Sequence, residues 1–427
     1  MRIWSVLLCL LLAGCTGSTD PSPTPASSGS PVAGRIPITD EFKPLFEKME
    51  DHEDDAFPET IEAVKSHPEL ARMVDEDGYT LLHRTVDTYA GAEQKPELVR
   101  ILLENGADPH LRDGNGTPPI AGDYLDARTL QVLLEHGADV NAQGNGGRTA
   151  LMQVSKPEQV KLLLEHKADV HLRDGGGQYA LHKAAHRRDN AIPLMELLVA
   201  AGADVNRTDD DGEAAVHVAA YDGNWAAVEW LMGKGAKVTG TYRDGPTLLF
   251  KCPDEMVAAE LIAQGVDVKA TDEDGDTALH VLARRSDRSE VIKLLVSKGA
   301  DVDAHGWEGF TPLHQAVIGD SSENVKVLLS CGADVNARNE HGQTPLHWGR
   351  IPLEIAEQLV ANGADIHARD ESGETPLHVA IGVPLMELLV AKGADIHARN
   401  KAGETPIQTT HPSDDEARAF LKKRGAR

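Results

Sequence analysis

The feature that most constrains this chain is a repeated unit, Gly-Ala-Asp followed by an apolar residue and then usually Asn or His. It stands at Gly106-Ala107-Asp108, Gly137-Ala138-Asp139, Gly202-Ala203-Asp204, Gly299-Ala300-Asp301, Gly332-Ala333-Asp334, Gly363-Ala364-Asp365 and Gly393-Ala394-Asp395, with looser copies at Lys167, Gly235 and Gly265. Successive copies are 31, 30, 35, 33, 30, 34, 33, 31 and 30 residues apart. At that period each unit is one supersecondary element that cannot bury its apolar face alone, so neighbours must stack into a solenoid. Such an array lengthens without a new core, and the 427 residues therefore predict one elongated domain. Function has to be sought on its surface.

Midway between the copies lies a second signature, clearest at Thr311-Pro312-Leu313-His314, Thr344-Pro345-Leu346-His347 and Thr375-Pro376-Leu377-His378. Thr accepts from the free amides of a helix start, and Pro in the next place has its backbone angle preset and no donor to waste. Thr-Pro thus opens a first helix. A second helix ends at the recurring Gly, which suits the left-handed position just past a helix end. The stretch after it, such as residues 336–342, reads as a turn-rich hairpin. Several units carry Pro96, Pro157, Pro193, Pro253, Pro352, Pro384 or Pro412 before an apolar-periodic run. These predict first-turn prolines of second helices, with the shortening of short units taken from the loop between the two helices.

Thr-Pro-Leu-His, the Gly-Ala-Asp unit and a period near 33 residues together resemble the ankyrin repeat over about residues 57–427. The resemblance implies an all-α ankyrin-repeat solenoid of helix-turn-helix units joined by β-hairpin-like loops. Residues 40–78 read as an N-terminal capping helical pair, 79–404 as about ten repeats and 405–427 as a C-terminal capping repeat. Pro118-Pro119-Ile120-Ala121, and Met152 and Phe250 standing where His is expected, predict irregular helix starts in three repeats.

Residues 1–14 read as a signal peptide, because the apolar run after Met1-Arg2 is too short to span a bilayer. Leu12-Ala13-Gly14-Cys15 resembles the lipobox of bacterial lipoproteins. That implies cleavage before Cys15, its acylation, and a lipid anchor in the bacterial cell envelope. Thr16, rather than Asp, after the cysteine implies sorting to the outer membrane, on its periplasmic face. Residues 15–39 are rich in Ser, Thr, Pro and Gly and predict a flexible tether. Its reach is roughly 25 Å, and about 60 Å fully extended.

A net charge of -26 repels nucleic acid and anionic lipid surfaces and steers in a basic protein partner. Cys252 and Cys331 sit two repeats apart, roughly 20 Å at about 10 Å per helix layer, beyond the reach of a disulfide. Of the 19 histidines, His83, His182, His217, His280, His314, His347 and His378 hold the fourth place of the helix-one motif, where the resemblance implies structural bonding. His110, His171, His367 and His397 recur one per repeat, so that neighbours such as His367 and His397 lie about 10 Å apart, whereas zinc ligands lie about 2 Å from the ion. His182 and His186 share a helical face but lack the glutamate and third ligand of a helical zinc site. Glycine clusters at residues 114–116, 144–147 and 175–177 have no following Lys-Ser/Thr and fall at hairpin tips. The acidic runs at residues 209–211 and 272–276 are out of register for a calcium loop. Neither a Gly-x-Ser-x-Gly elbow nor a catalytic-cysteine setting is present. No catalytic residue, metal, cofactor or small-molecule substrate is expected.

The resemblance also implies that partners lie across the hairpin tips and the inner face of helix one. Those places hold Glu273, Asp274, Asp276 and Val281 in one repeat, Trp307, Glu308, Phe310 and Gln315 in the next, then Glu340, His341, Gln343 and Trp348. Three aromatics in two adjacent repeats are candidate anchors in a chain with 4% aromatics. Trp225 and Trp230 fall at helix-two spacing and are expected in the core. The expectation is a non-enzymatic envelope-anchored scaffold for a basic protein partner, as an inhibitor or immunity protein or as a chaperone of an exported protein. The alternative is a structural spacer between membrane and envelope components.

Overall fold

The computed structural model describes residues 36–51, 56–89, 93–239, 247–411 and 413–426. The expected signal peptide, Cys15, most of the tether and Pro412 lie outside these residues. Helix pairs follow one another along the chain, and helix one packs on the next helix one while helix two packs on the next helix two through most of the array. Leu279, Leu282, Ile292, Leu295, Leu313 and Leu328 are wholly buried between the two layers. Each such side chain contributes about 1.5–3 kcal/mol over its exposed state. No helix of the described residues is long and apolar enough to cross a membrane.

Helix two is nearly constant, with nine residues in Ala127–Glu135, Pro157–Glu165, Trp225–Gly233, Leu353–Ala361 and Val383–Ala391. Helix one is not. Where the Gly-Ala-Asp spacing is 33–35 residues it forms Ala180–Ala185, Ala215–Tyr221, Ala278–Ala283 and Pro312–Ile318. Where the spacing is 30 or 31 it shrinks to Pro119–Ala121, Ala150–Gln153, Leu248–Lys251, Pro345–His347 and Pro376–Val379. The shortening therefore removes about the last turn of helix one, which corrects the expectation that only a loop is trimmed. Its start is pinned by the cap and helix two is pinned by packing, so only the distal end of helix one is free to shorten. Pro118-Pro119-Ile120-Ala121, Met152 and Phe250 all fall in these shortened units. Pro96, Pro157, Pro193 and Pro384 lie in first turns of helix two. Pro352 is itself an N-cap and Pro253 precedes the N-cap Asp254, so these two stand just before their helices.

The Thr-x-x-His motif is a reciprocal cap in which His plays the part usually taken by Glu. In Thr311–His314 the threonine amide donates to the imidazole Nδ1 at 3.2 Å, and the hydroxyl lies 2.9 Å from the same nitrogen. With Nδ1 accepting, the proton sits on Nε2, which donates to the Gln343 carbonyl of the next repeat at 3.1 Å. His83, His182, His280, His347 and His378 make the same outward bond to Leu111, Glu213, Phe310, Glu374 and Glu404. Burial pushes the His314 imidazole down to about 4.

The Gly-Ala-Asp unit resolves into separate tasks. Gly332 has φ 92°, which L side chains rarely adopt, and the amide of Ala333 closes the helix end on Leu328 at 3.0 Å. Asp334 Oδ1 then accepts from the Asn336 amide at 2.9 Å, forming a turn. Asn336 clamps the next repeat at both ends, donating to the Gly363 carbonyl at 3.1 Å and accepting from the Asp365 amide at 2.7 Å. A second clamp comes from an arginine two residues on, present whether that place holds Asn, as at Asn336, or His, as at His367. Arg369 donates to Gly373 of its own tip and to Arg399 of the next. Arg112 and Arg338 bond in the same way.

At the N-terminal end, Lys43–Glu50 and Ala56–Ser66 form a helical pair followed by the 3-10 turn Pro68–Arg72. Ile36–Pro37 pairs in parallel with Met73–Val74, and the Ile38 amide donates to the Val74 carbonyl at 2.9 Å. Residues 36–38 are therefore docked rather than part of a free tether. Cys252 and Cys331 are both free thiols, and burial pushes Cys252 up to about 12. Trp225 and Trp230 are half-buried covers over the core rather than members of it, with the Lys234 ammonium 5.3 Å from the Trp230 ring centre.

Candidate protein-binding surface

The hairpin tips are built by one carboxylate or carboxamide each. Asp272 Oδ1 accepts from the amides of Asp274 and Asp276, Asn339 Oδ1 from those of His341 and Gln343, and Asp370 Oδ1 from those of Ser372 and Glu374. Asp209 does the same for Asp211 and Glu213. The acidic runs thus contain turn-making aspartates bonded to backbone. Neighbouring tips are also joined by backbone bonds, Glu340 to Glu308, Glu371 to His341 and Lys401 to Ser372, each 2.9 Å.

On that ladder the candidate residues separate into two sets. Trp307 is 43% exposed and Trp348 38%. Glu273, Asp274, Glu340 and His341 are exposed, while Asp276, Val281, Glu308 and Gln343 are half-buried. Phe310 and Gln315 are only 7% exposed, which corrects their assignment as contact residues. Phe310 is buried because the Trp307 ring stacks over it at 6.0 Å and 8° while its edge meets His314 at 5.6 Å. Gln315 is buried within helix one among the inward-packed residues of Pro312–Ile318. Asp276 also has a structural task, since its Oδ1 accepts from the Trp307 amide at 3.0 Å. A side chain at Gly306 would collide with that carboxylate, at 1.9 Å from the added carbon.

Trp348 sits just beyond the shortened helix one Pro345–His347, where a full repeat would continue the helix. It shares a shallow dent of about 10 Å³ with Phe310, His314, Ile318, Gln343 and Pro345. That volume holds about one water, far below the about 300–1,000 Å³ of a small-molecule pocket. The surface suits a flat apolar contact rimmed by acids. The guanidiniums of Arg338 and Arg369 are turned onto backbone carbonyls within the array, which leaves the carboxylates of Glu340, Glu273 and Asp274 outward.

His83, His182, His280, His314, His347 and His378 have their ring nitrogens placed between a cap and the next repeat's carbonyl, and His186 pairs instead with Asp222 at 2.7 Å. Sequence reasoning missed a larger cavity, of about 320 Å³, at the first three repeats, lined by Asp87, Asp113, Asp123, Tyr79 and Arg148 among others. The 31- and 30-residue spacings shorten helix one twice running there, but they do so again between Gly332 and Gly393, so spacing alone does not single out this cavity.

Profiles described as "Ankyrin repeats (3 copies)" match residues 82–174, 153–242 and 251–339, and one described as "Ankyrin repeats (many copies)" matches residues 353–409. Among relatives, the chain is 42% identical over 66 residues to the Neurogenic locus Notch protein of Drosophila melanogaster, covering 15% of this chain and 2% of that protein. It is 37% identical over 87 residues to the human Transient receptor potential cation channel subfamily A member 1, covering 20% and 7%. Human Neurogenic locus notch homolog protein 2 is 41% identical over 66 residues, covering 15% and 3%. The chain thus spans a small fraction of these relatives, and the likeness is one of repeats, which generally mediate protein–protein interaction. With the capping boxes, the two helix layers and the family profiles in agreement along most of its length, the chain belongs to the ankyrin-repeat family.

Proposed function

We propose that this protein is a non-enzymatic scaffold, anchored in the bacterial cell envelope through acylated Cys15, that binds a basic protein through its hairpin tips and helix-one face. The observation that carries the binding face is the pair Trp307 and Trp348, exposed in adjacent repeats beside outward carboxylates. Exposed tryptophans bury large areas at low entropic cost and are favoured as interface anchors. The partner is an exported protein that the scaffold inhibits or escorts, and the net charge of -26 speeds its capture.

A photo-crosslinking residue at position 343, compared with one at the helix-two position Gln264, tests the face in intact cells. The same protein should be captured from position 343 and not from 264, and the Trp307→Ala, Trp348→Ala double variant should lose it while keeping its circular dichroism. Undiminished capture by a folded double variant would reject the face. Globomycin-sensitive processing with acyl labelling that disappears in Cys15→Ser supports the anchor; a secreted, unacylated product would reject it.

A further inference from the structure

In the three successive repeats between Gly299 and Gly393, helix one is Pro312–Ile318, Pro345–His347 and Pro376–Val379. The chain leaves the last two early, and Trp348 and Ile381 come to the surface, 38% and 61% exposed. Half-buried Ile318 lines the dent beside Trp348. On the other side of Trp348, the Ile381 amide donates to the Gly349 carbonyl at 2.7 Å, and a carbon added at Gly349 would stand 3.6 Å from Ile381 Cγ1. Ile318, Trp348 and Ile381 therefore form one apolar row along the array, a residue from each repeat. The row is fixed from beneath. The same added carbon would stand 2.1 Å from the Val379 carbonyl, so the two loop backbones touch, and Thr409 Oγ1 from the following repeat donates to the His378 carbonyl at 2.7 Å. A row set in place before a ligand arrives lowers the ordering cost of binding.

The tips border this row with negative charge. Glu340 and Glu371 are exposed at successive tips, each placed by its amide bond to the tip before, and Glu308 faces His341 at 3.5 Å. Residues 305–411 hold 14 Asp and Glu against 7 Lys and Arg. Three of the seven cations, Arg338, Arg369 and Arg399, are spent on backbone carbonyls of the tips. Arg350 is exposed and follows Gly349, further along the chain from the tip. Among the described residues these tips bond to one another, which leaves no sheet edge along the array for an extended segment to join.

We infer that the row and its acidic border seat a basic amphipathic helix of the partner protein, lying along the array. This rests on the reading of the helix-one face as the binding surface and names the element recognised there. Successive repeats lie about 10 Å apart, and seven residues of α-helix rise about 10.5 Å. A helix with apolar residues seven apart thus meets Ile318, Trp348 and Ile381 in turn. Lysines on its flank then meet Glu340 and Glu371 in the same register, and the net negative field draws in the same charge. Three repeats match about 21 residues of such a helix.

Two dye-labelled peptides of about 21 residues and identical composition test this against the full chain by fluorescence anisotropy. One carries leucines seven apart with lysines along one flank; in the other the same residues are respaced so that no face is apolar. The first should bind saturably and at least tenfold more tightly than the second. Ile381→Ser should weaken it severalfold, and Glu340→Lys with Glu371→Lys at least tenfold with a shallower salt dependence. Met256→Ser, at a residue 71% exposed on the helix-two layer, should leave it unchanged. Equal affinity for the two peptides, or undiminished binding by a folded Ile381→Ser variant, overturns the helix seat. In cells, photo-crosslinkers at positions 381 and 343 separate the two readings. Fragments crosslinked from both positions should fall in one basic helical segment of one protein. Capture at 343 with none at 381 would remove the helix seat and leave the scaffold reading, whereas the expected peptide result without any captured protein would do the reverse.

Discussion

Replacing His314 by Gln isolates how this array is joined, because the chain already carries the experiment's control. In the last repeat Gln408 takes the place of the motif histidine, and its Oε1 accepts from the Thr405 amide at 2.9 Å. The cap therefore survives in His314→Gln, while the bond from Nε2 to the Gln343 carbonyl is put at risk. At pH 7.5 the variant should lose about 1–2 kcal/mol, the range for one buried hydrogen bond and its orphaned acceptor. At lower pH the sign changes. Burial holds the folded imidazole at about 4 against 6.5 unfolded, so its contribution is full above 6.5 and is lost as pH falls towards about 4. At pH 4.5 the wild type should have lost about 2.5 kcal/mol at this one residue. The variant has no such loss and should match or exceed the wild type there. Urea unfolding fitted with a nearest-neighbour repeat scheme reads both values, and the imidazole proton signal reads the titration directly. A stability gap equal at pH 7.5 and 4.5, or a His314 signal titrating near 6.5, would refute the reasoning. Burial lowers His83, His182, His280, His347 and His378 in the same direction, so each should also lose stability as pH falls below the ordinary imidazole range.

Asp87→Asn should be stabilising. Burial first, and then the neighbouring Asp123 charge, raise Asp87 to about 6, so the folded state favours the proton and stability falls as pH rises from about 4 through 6. The gain should be about 1–3 kcal/mol at pH 7.5 and shrink by about half at pH 5, measured by urea unfolding; a destabilised variant at pH 7.5 would reject the account. Gly319→Ala should cost about 1–3 kcal/mol, because the added carbon would stand 2.1 Å from the Arg284 carbonyl of the preceding repeat. Gly332→Ala, with φ 92° and open space around it, should cost only the about 1–2 kcal/mol of a left-handed residue. Thermal unfolding of the pair checks both, and a larger loss at Gly332 would count against close stacking at Gly319.

The features legible in the sequence are those set within one repeat. The threonine cap, the glycine past helix two and the turn-forming aspartate each act over four or five residues, and their phase gives the stack. What escaped is set between repeats. Phe310 and Gln315 occupy the positions that face a partner in the repeat pattern, yet Trp307 from the same tip folds over Phe310, and packing within helix one encloses Gln315. The same holds for Trp225 and Trp230, whose periodicity matches a core face that smaller Ala227, Val228 and Leu231 fill first. Ile36–Pro37 could not be told from tether, since a two-residue strand has no period to detect.

Helix-one length is where this array departs from uniformity, and three of the five shortened helices are followed by an exposed large side chain. A full helix one covers the next repeat's flank; without its last turn the chain turns outward early. Trp348 follows Pro345–His347 and Tyr124 follows Pro119–Ala121, each just past a shortened helix. Ile381, 61% exposed, follows Pro376–Val379 in the same way. The helix-two layer stays constant beneath, so the stack need not change to accommodate the relief above it. Spacing between Gly-Ala-Asp units is therefore a readable index of helix-one length, six or seven residues at a spacing of 33–35 and three or four at 30 or 31. The clamps set the charge of that relief. Asn336 and the arginines at 112, 338 and 369 are drawn into the joints between repeats, while most carboxylates not needed for turns remain outside. Recognition by such a surface rests on where the missing turns fall and on the acids and aromatics beside them, while the repeated motifs serve the stack.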